Sequence, residues 1–272
     1  MKIGIVGVGN MGHAFAKALG SINVFSESSI YLFERNEKQS LKLKKEQIGR
    51  CFTEITNDIA DCDIILLAVK PQGFNDLASD LANKLGENPL IISIMAGVPI
   101  SVIESALNSK LVVRAMPNTP CQLGKGITGY YMPDSINSQK EEVVKLILGS
   151  TGDTIKVDKE ELVDSVTAIS GSGPAYFYYF LKHIVQAGVD MGLKQEDART
   201  LANQTMQGAH HLIKESNQSF DDLITAVKSK GGTTEAALNT LEEKSVGDSI
   251  EIALVNAKKR AKELSEMVAK GE

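Results

Sequence analysis

The chain has 272 residues, 43% of them apolar and 23% charged, a balance typical of soluble globular proteins and remote from disordered, collagen-like or membrane-spanning chains. Lys and Arg number 29 against 34 Asp and Glu, for a formal net charge of −5; with no long basic run to grip a phosphate backbone, nucleic acid is excluded as the expected partner. Two domains are expected at this length, each large enough to bury a core.

Glycines interrupt the apolar run of the opening MKIGIVGVGN at once, without a small-residue cleavage site, and the longest apolar stretch, around Leu90 to Val98, is about half what a bilayer requires. Cys51, Cys62 and Cys121 form no CxxC pair and read as reduced thiols. The expectation is a cytoplasmic protein.

Ile3 to Val6 is a short β-branched run, and Met11 to Leu19 changes to helix-compatible residues around Ala14, Ala16 and Ala18. Between them lies Gly7-Val8-Gly9-Asn10-Met11-Gly12, a GxGxxG sequence directly after a strand and opening a helix. In such a turn the first glycine permits the bend, the second lets a pyrophosphate approach the backbone, and the third lets helix and strand pack closely. Free amides and the positive end of the helix dipole then meet the phosphates, so a dinucleotide site is expected here.

A second strand, Ile30 to Phe33, ends in Glu34-Arg35-Asn36, where NAD and NADP are usually told apart. Glu34 would repel a 2′-phosphate, whereas Arg35 and Asn36 would cradle one if Glu34 turned away. The choice between NADH and NADPH stays open at this level.

Leu41 to Gln47 reads as a charged helix, and Asp63 to Val69, Leu90 to Met95 and Leu111 to Val113 as further strands. Apolar strands alternating with helical stretches imply a parallel sheet covered on both faces. Three loops follow these strands, where open α/β sheets bind ligands: 68–72 with Lys70 in an extended position before Pro71, 93–97, and 114–120, in which Asn118 and Thr119 offer hydrogen bonds to an amide such as nicotinamide.

Beyond about Asp158 the strand-like runs stop, and helices are predicted over Ala175 to Met191, Glu196 to Ser216, Asp221 to Lys228, Thr234 to Glu243 and Asp248 to Val268. The expected division is therefore 1–158, dinucleotide-binding, and 159–272, helical. Ser219 with Asp222 three residues on forms an acidic relative of the capping box. Tyr176 to Phe180 is an aromatic run suited to helix packing rather than cofactor stacking, and a helical part this small with such a stripe is expected to bury surface against a second copy. His13, His183, His210 and His211 lack metal-ligand spacing, so no metal is expected.

Two Gly-rich helix starts remain, 170–176 (SGSGPAY) and 229–235 (SKGGTTE). Small residues, hydroxyls and exposed N-terminal amides of this kind bind carboxylates without a cationic side chain, or serve simply as caps.

Taken in order, GVGNMG, AVKPQ, MAGV, RAMPNTP, SGSGPAY and SxGGTT make the whole chain resemble the pyrroline-5-carboxylate reductase family. The resemblance implies a Rossmann-type domain followed by a helical dimerisation and substrate domain of the 6-phosphogluconate dehydrogenase C-terminal-like kind. It also implies reduction of Δ1-pyrroline-5-carboxylate to L-proline by NADPH or NADH, in a homodimer or a larger ring of dimers. Carried over residue by residue, the coenzyme would lie along Gly7, Val8, Gly9, Asn10 and Met11, with Glu34, Arg35 and Asn36 at the adenosine ribose and Asn57 at the adenine. Ala68, Val69, Lys70, Pro71, Met95, Ala96, Gly97 and Asn118 would line the nicotinamide half. Substrate would meet Glu160, Ser172, Gly173, Gly231, Gly232, Thr233 and Thr234, with the Thr234 hydroxyl orienting the imino acid over the nicotinamide. Lys230 departs from the family's usual proline before the double glycine. Two other classes compete: a related reductase or dehydrogenase for another imine or hydroxy acid, disfavoured because Lys182 lies deep within its helix, and a non-catalytic dinucleotide-binding protein.

Overall fold

The structure is a computed structural model and describes residues 1–270. Two compact units are present: residues 1–173 joined by the segment from Asn256 onward, and Pro174–Val255.

The first unit is built on strands β1 (Ile3–Val6), β2 (Ile30–Phe33), β3 (Arg50–Phe52), β4 (Ile64–Leu67), β5 (Leu90–Ser93), β6 (Val112–Met116), β7 (Gly126–Tyr131) and β8 (Gly152–Lys156). They form one sheet in the order β3-β2-β1-β4-β5-β6-β7-β8. Helices α1 (Asn10–Gly20), α2 (Glu37–Glu46), α3 (Phe74–Ala82), α4 (Ile100–Leu107), α5 (Ser138–Gly149) and the short α6 (Leu162–Val166) accompany it.

Alternate side chains of the strands feed two cores. Ile3, Ile5, Leu32 and Leu66 pack with Phe15 and Leu19 of α1 and with Val144, Ile147 and Leu148 of α5. Val6, Phe33, Ile65 and Leu67 pack with Phe74 and Leu81 of α3 and Ile103 and Leu107 of α4. Burial on both faces explains why these strands read as unbroken apolar runs.

The expectation of a purely parallel sheet needs one correction, because β7 runs antiparallel to β6, with Arg114 opposite Tyr131. The link between them contains only the short 3-10 turn Thr119–Leu123, so the chain lacks the crossover that a parallel return requires. From β7 to β8 the chain does cross over through α5, and that pair is parallel.

The second unit holds most of α7 (Gly173–Asp190), then α8 (Gln195–Glu215), α9 (Phe220–Val227), α10 (Thr233–Glu243) and the first turns of α11 (Val246–Lys270). Pro174 occupies the first turn of α7, where its missing N–H costs nothing. The Ser219–Asp222 capping box forms, Ser219 Oγ accepting from Asp222 N at 3.1 Å and Asp222 accepting from Ser219 N at 3.1 Å. A seam of small residues joins α7 to α8, with a Cβ at Gly188 falling 2.9 Å from Ala198. Ala198 and Ala202 are the buried apolar residues of this unit, while Phe177, Tyr178, Tyr179 and Ile184 are exposed.

The boundary expected after residue 158 differs from the division between these units, which falls at Gly173/Pro174 and returns the end of α11 to the sheet. The reason is contact: α6 packs on β6 and β7, and Val268 packs on the second core.

His13 joins α1 to α2 through a 2.5 Å contact with Glu46. That hydrogen bond, with Lys42 and Lys17 assisting, holds the Glu46 carboxyl below the usual carboxylate range. A lowered folded-state value stabilises the protein above the ordinary carboxylate pKa, and the gain is lost as pH falls through the lowered value. Thermal melts of His13→Ala and wild type should therefore differ near neutral pH and converge in acid; a difference persisting in acid would count against the Glu46 linkage.

Candidate active site

Five neighbouring parallel strands end side by side: Val6 is level with Phe33 and Leu67, Leu67 with Ser93, and Ser93 with Arg114. The loops after β1, β2, β4, β5 and β6 thus share one edge of the sheet. The order reverses between β1 and β4, which is where ligands sit in open sheets of this kind.

The three glycines of the turn differ in their surroundings. Gly7 adopts φ +86°, and a side chain there would strike Val69; Gly12 lies so near the Gly7 carbonyl that a Cβ would overlap it. By contrast, a Cβ at Gly9 would meet nothing within 4 Å. Helix α1 starts from Gly9 with no side-chain cap, so its first amides face open space beside an exposed Gly9 and Asn10. That opening and its uncapped amides fit a dinucleotide pyrophosphate.

Val8 serves the fold: its side chain is fully buried and its N–H donates to Glu34 Oε2 at 2.8 Å. Glu34 Oε1 accepts from Asn36 N at 2.8 Å, and Asn36 in turn caps α2 by accepting from Gln39 N at 3.2 Å. Arg35 is exposed, as is Asn57 at the start of a 3-10 turn.

After β4, Ala68 and Val69 lie against Gly7, and Lys70 is exposed and extended ahead of Pro71, which starts a 3-10 turn. After β5, Met95 is buried, while Ala96 is half-buried and Gly97 packs against α11, a Cβ there falling 3.2 Å from Leu264.

Asn118 follows β6 with both ends of its side chain engaged, Nδ2 donating to Ser170 Oγ at 3.2 Å and Oδ1 accepting from Ile127 N at 3.1 Å. Its partner Ser170 belongs to a π-helical turn, Thr167–Gly171, followed by half-buried Ser172 and buried Gly173.

Glu160 points inward. Its Oε1 accepts from Ile100 N at the start of α4 at 2.8 Å and lies 3.4 Å from Arg114 Nη1. Arg114, 3% exposed, also donates from Nη2 to Asp164 Oδ1 at 2.6 Å. The sequence reading missed this triad because its members stand 46 and 50 residues apart; the signal available was an arginine inside an apolar strand.

In the second unit, Gly231 takes the left-handed φ of +73°, and Gly232 caps α10 without a side-chain cap. Thr234 is half-buried, and among the described residues nothing pairs with its hydroxyl. Glu235 was also passed over: its Oε2 accepts from Gly231 N at 2.7 Å and its Oε1 lies 3.9 Å from Lys228 Nζ, which fixes the shape of the loop. Lys230 is exposed.

A family model described as pyrroline-5-carboxylate reductase dimerisation matches residues 160–264, and one described as NADP oxidoreductase coenzyme F420-dependent matches residues 2–97. The pyrroline-5-carboxylate reductase of Staphylococcus haemolyticus is 33% identical over 270 residues, covering 97% of this chain and 98% of the relative. This chain belongs to the pyrroline-5-carboxylate reductase family. The Pseudomonas aeruginosa family member is likewise 33% identical, over 98% of both chains. Among solved structures, pyrroline carboxylate reductase from Plasmodium falciparum with NADP bound aligns with a TM-score of 0.86 at 31% identity, over 97% of this chain and 98% of that one. The Coxiella burnetii reductase aligns at 0.87 and 32%, with the same coverage. Prephenate dehydrogenase from Aquifex aeolicus, at 0.55 and 19%, shares the fold alone.

Within this family member the Arg114 triad holds the least exposed ion pairs of the sheet unit among the described residues. Arg114→Met leaves two carboxylates without their cation and should cost about 3–5 kcal/mol in urea unfolding, more than Arg114→Met combined with Asp164→Leu. A loss under about 1 kcal/mol, the size of an exposed pair, would show that the triad is solvated.

Proposed function

We propose that this chain reduces L-Δ1-pyrroline-5-carboxylate to L-proline with NAD(P)H as reductant. The observation that carries the reading is the match to curated reductases along nearly the whole chain, joined to a glycine turn left open for a dinucleotide. NAD(P)H, when bound, supplies hydride to the carbon of the substrate's C=N bond. The sequence's two competing readings, another substrate or binding alone, have no observation in their favour.

The chain's own part is to bind and orient. The first amides of α1 take the pyrophosphate, and Ala68, Val69, Lys70, Pro71, Ala96 and Gly97 border the nicotinamide half. Gly231 and Gly232, whose own amides are bonded within the loop, shape the start of α10 so that the uncapped amides from Thr233 onward meet the substrate carboxylate, and the Thr234 hydroxyl fixes the ring. Pyrroline-5-carboxylate already protonated on nitrogen accepts hydride without a strong general acid, so positioning is the main catalytic effect. Asn118 and Glu160, both engaged within the protein, act on the site by shaping its walls.

The partner is a second copy of the chain. Phe177, Tyr178 and Tyr179 are 61%, 62% and 61% exposed, and an apolar groove of about 440 Å³ lies between α7 and α8, lined by Phe180, Ile184, Met191 and Leu201 among others. Supporting this is the match of residues 160–264 to a dimerisation model. A cytoplasmic location suits the three free cysteines, of which Cys62 is pushed by burial to about 12 and stays a thiol.

Oxidation of NADH and NADPH by the purified protein, followed by absorbance with pyrroline-5-carboxylate supplied, should yield proline with at least one coenzyme. Coenzyme binding without turnover of either would reduce the protein to a binding role. Thr234→Ala should lower turnover by about tenfold or more with coenzyme affinity unchanged; unaltered kinetics would remove Thr234 from the mechanism. Sedimentation at micromolar concentration should give twice the chain mass, and a Tm that rises with concentration, whereas a stable monomer would refute the pairing.

A further inference from the structure

We infer that Glu34 makes this reductase select NADH over NADPH, an inference that rests on the coenzyme site proposed above. Whether the acid faces the coenzyme or turns away decides the matter, and the structure shows it held. Oε2 accepts from Val8 N at 2.8 Å and Oε1 from Asn36 N at 2.8 Å. One bond ties the carboxylate to the glycine turn and the other ties it to the end of β2. Gln39 Nε2 reinforces the same corner by donating to the Val8 carbonyl at 3.0 Å.

These bonds have a second effect. The groups at the end of β2 that would grip a phosphate on the ribose 2′ position are the backbone amide and side chain of Asn36. The amide is occupied by Glu34, and the side-chain Oδ1 accepts from Gln39 N as the cap of α2, which leaves Nδ2 as the one donor this residue can still turn toward a phosphate. A 2′-phosphate brought to this corner would find a fixed carboxylate where it needs donors, with exposed Arg35 as the cation of this segment. A 2′-hydroxyl, by contrast, donates to that same carboxylate. The anion that stabilises the turn therefore also rejects the phosphorylated coenzyme, a discrimination by repulsion as much as by fit.

The test is direct titration of the purified full-length protein with NADH and with NADPH at one fixed ionic strength, without imino acid, read by coenzyme fluorescence. Wild type should bind NADH at least about tenfold more tightly, a difference of about 1.4 kcal/mol. Glu34→Ser and Glu34→Gln should each bring the ratio of the two dissociation constants toward one or below it. Damage to the glycine turn weakens both coenzymes together and leaves the ratio alone, so the ratio isolates the charge. Wild-type affinity for NADPH equal to or above that for NADH overturns the inference, as does a ratio unmoved in both variants. Binding of neither coenzyme overturns the coenzyme site and this inference with it. An NADH-selective protein that fails to reduce pyrroline-5-carboxylate sinks the reductase reading while leaving the role of Glu34 intact.

Discussion

The contact on which the sheet unit depends is the approach of Gly12 in α1 to the carbonyl of Gly7 at the end of β1. No other residue type fits at Gly12, and that closeness brings the start of the helix over the edge of the sheet. Phe15 and Leu19 then reach the core on one face, while Gly9 is left projecting beyond the strand. The same geometry turns the Val8 amide toward β2, where Glu34 receives it. Packing, the opening at Gly9 and the tie between the turn and β2 thus follow from one short distance.

The two units obey different rules. The sheet unit covers its strands on both faces and pairs its buried arginine, Arg114, with Glu160 and Asp164. The helical unit has a narrow seam of alanine and glycine and leaves its aromatic residues outside. Apolar area of that extent is a surface awaiting a partner rather than the outside of a finished domain.

Local features were the ones legible in the sequence. The strand, turn and helix around Gly7 to Gly12 lie within a few residues of one another, and the capping box at Ser219 needs only its own turn. The helices beyond residue 173 were readable from long uninterrupted segments. Strands β7 and β8 were not, because GITGYY and GDTIK mix glycine and polar residues and depend on their neighbours for definition. Asn118 reads in sequence as a ligand-facing amide, yet its side chain is claimed by Ser170 and Ile127. Glu160 and Arg114 show the same limit: a charged side chain advertises its chemistry in the sequence but not its partner, which distant strand order decides.

Helix α11 starts in the helical unit and ends on the sheet unit, with Leu264 and Ser265 against Gly97 and Val268 on the second core. In synthesis order the sheet strands emerge early, but the turn at Gly97 receives its cover only once Leu264 and Ser265, more than 160 residues further on, have been made. The nascent sheet unit therefore spends most of its translation with an apolar flank open to water, and loss of the final turns of α11 would strip that flank permanently.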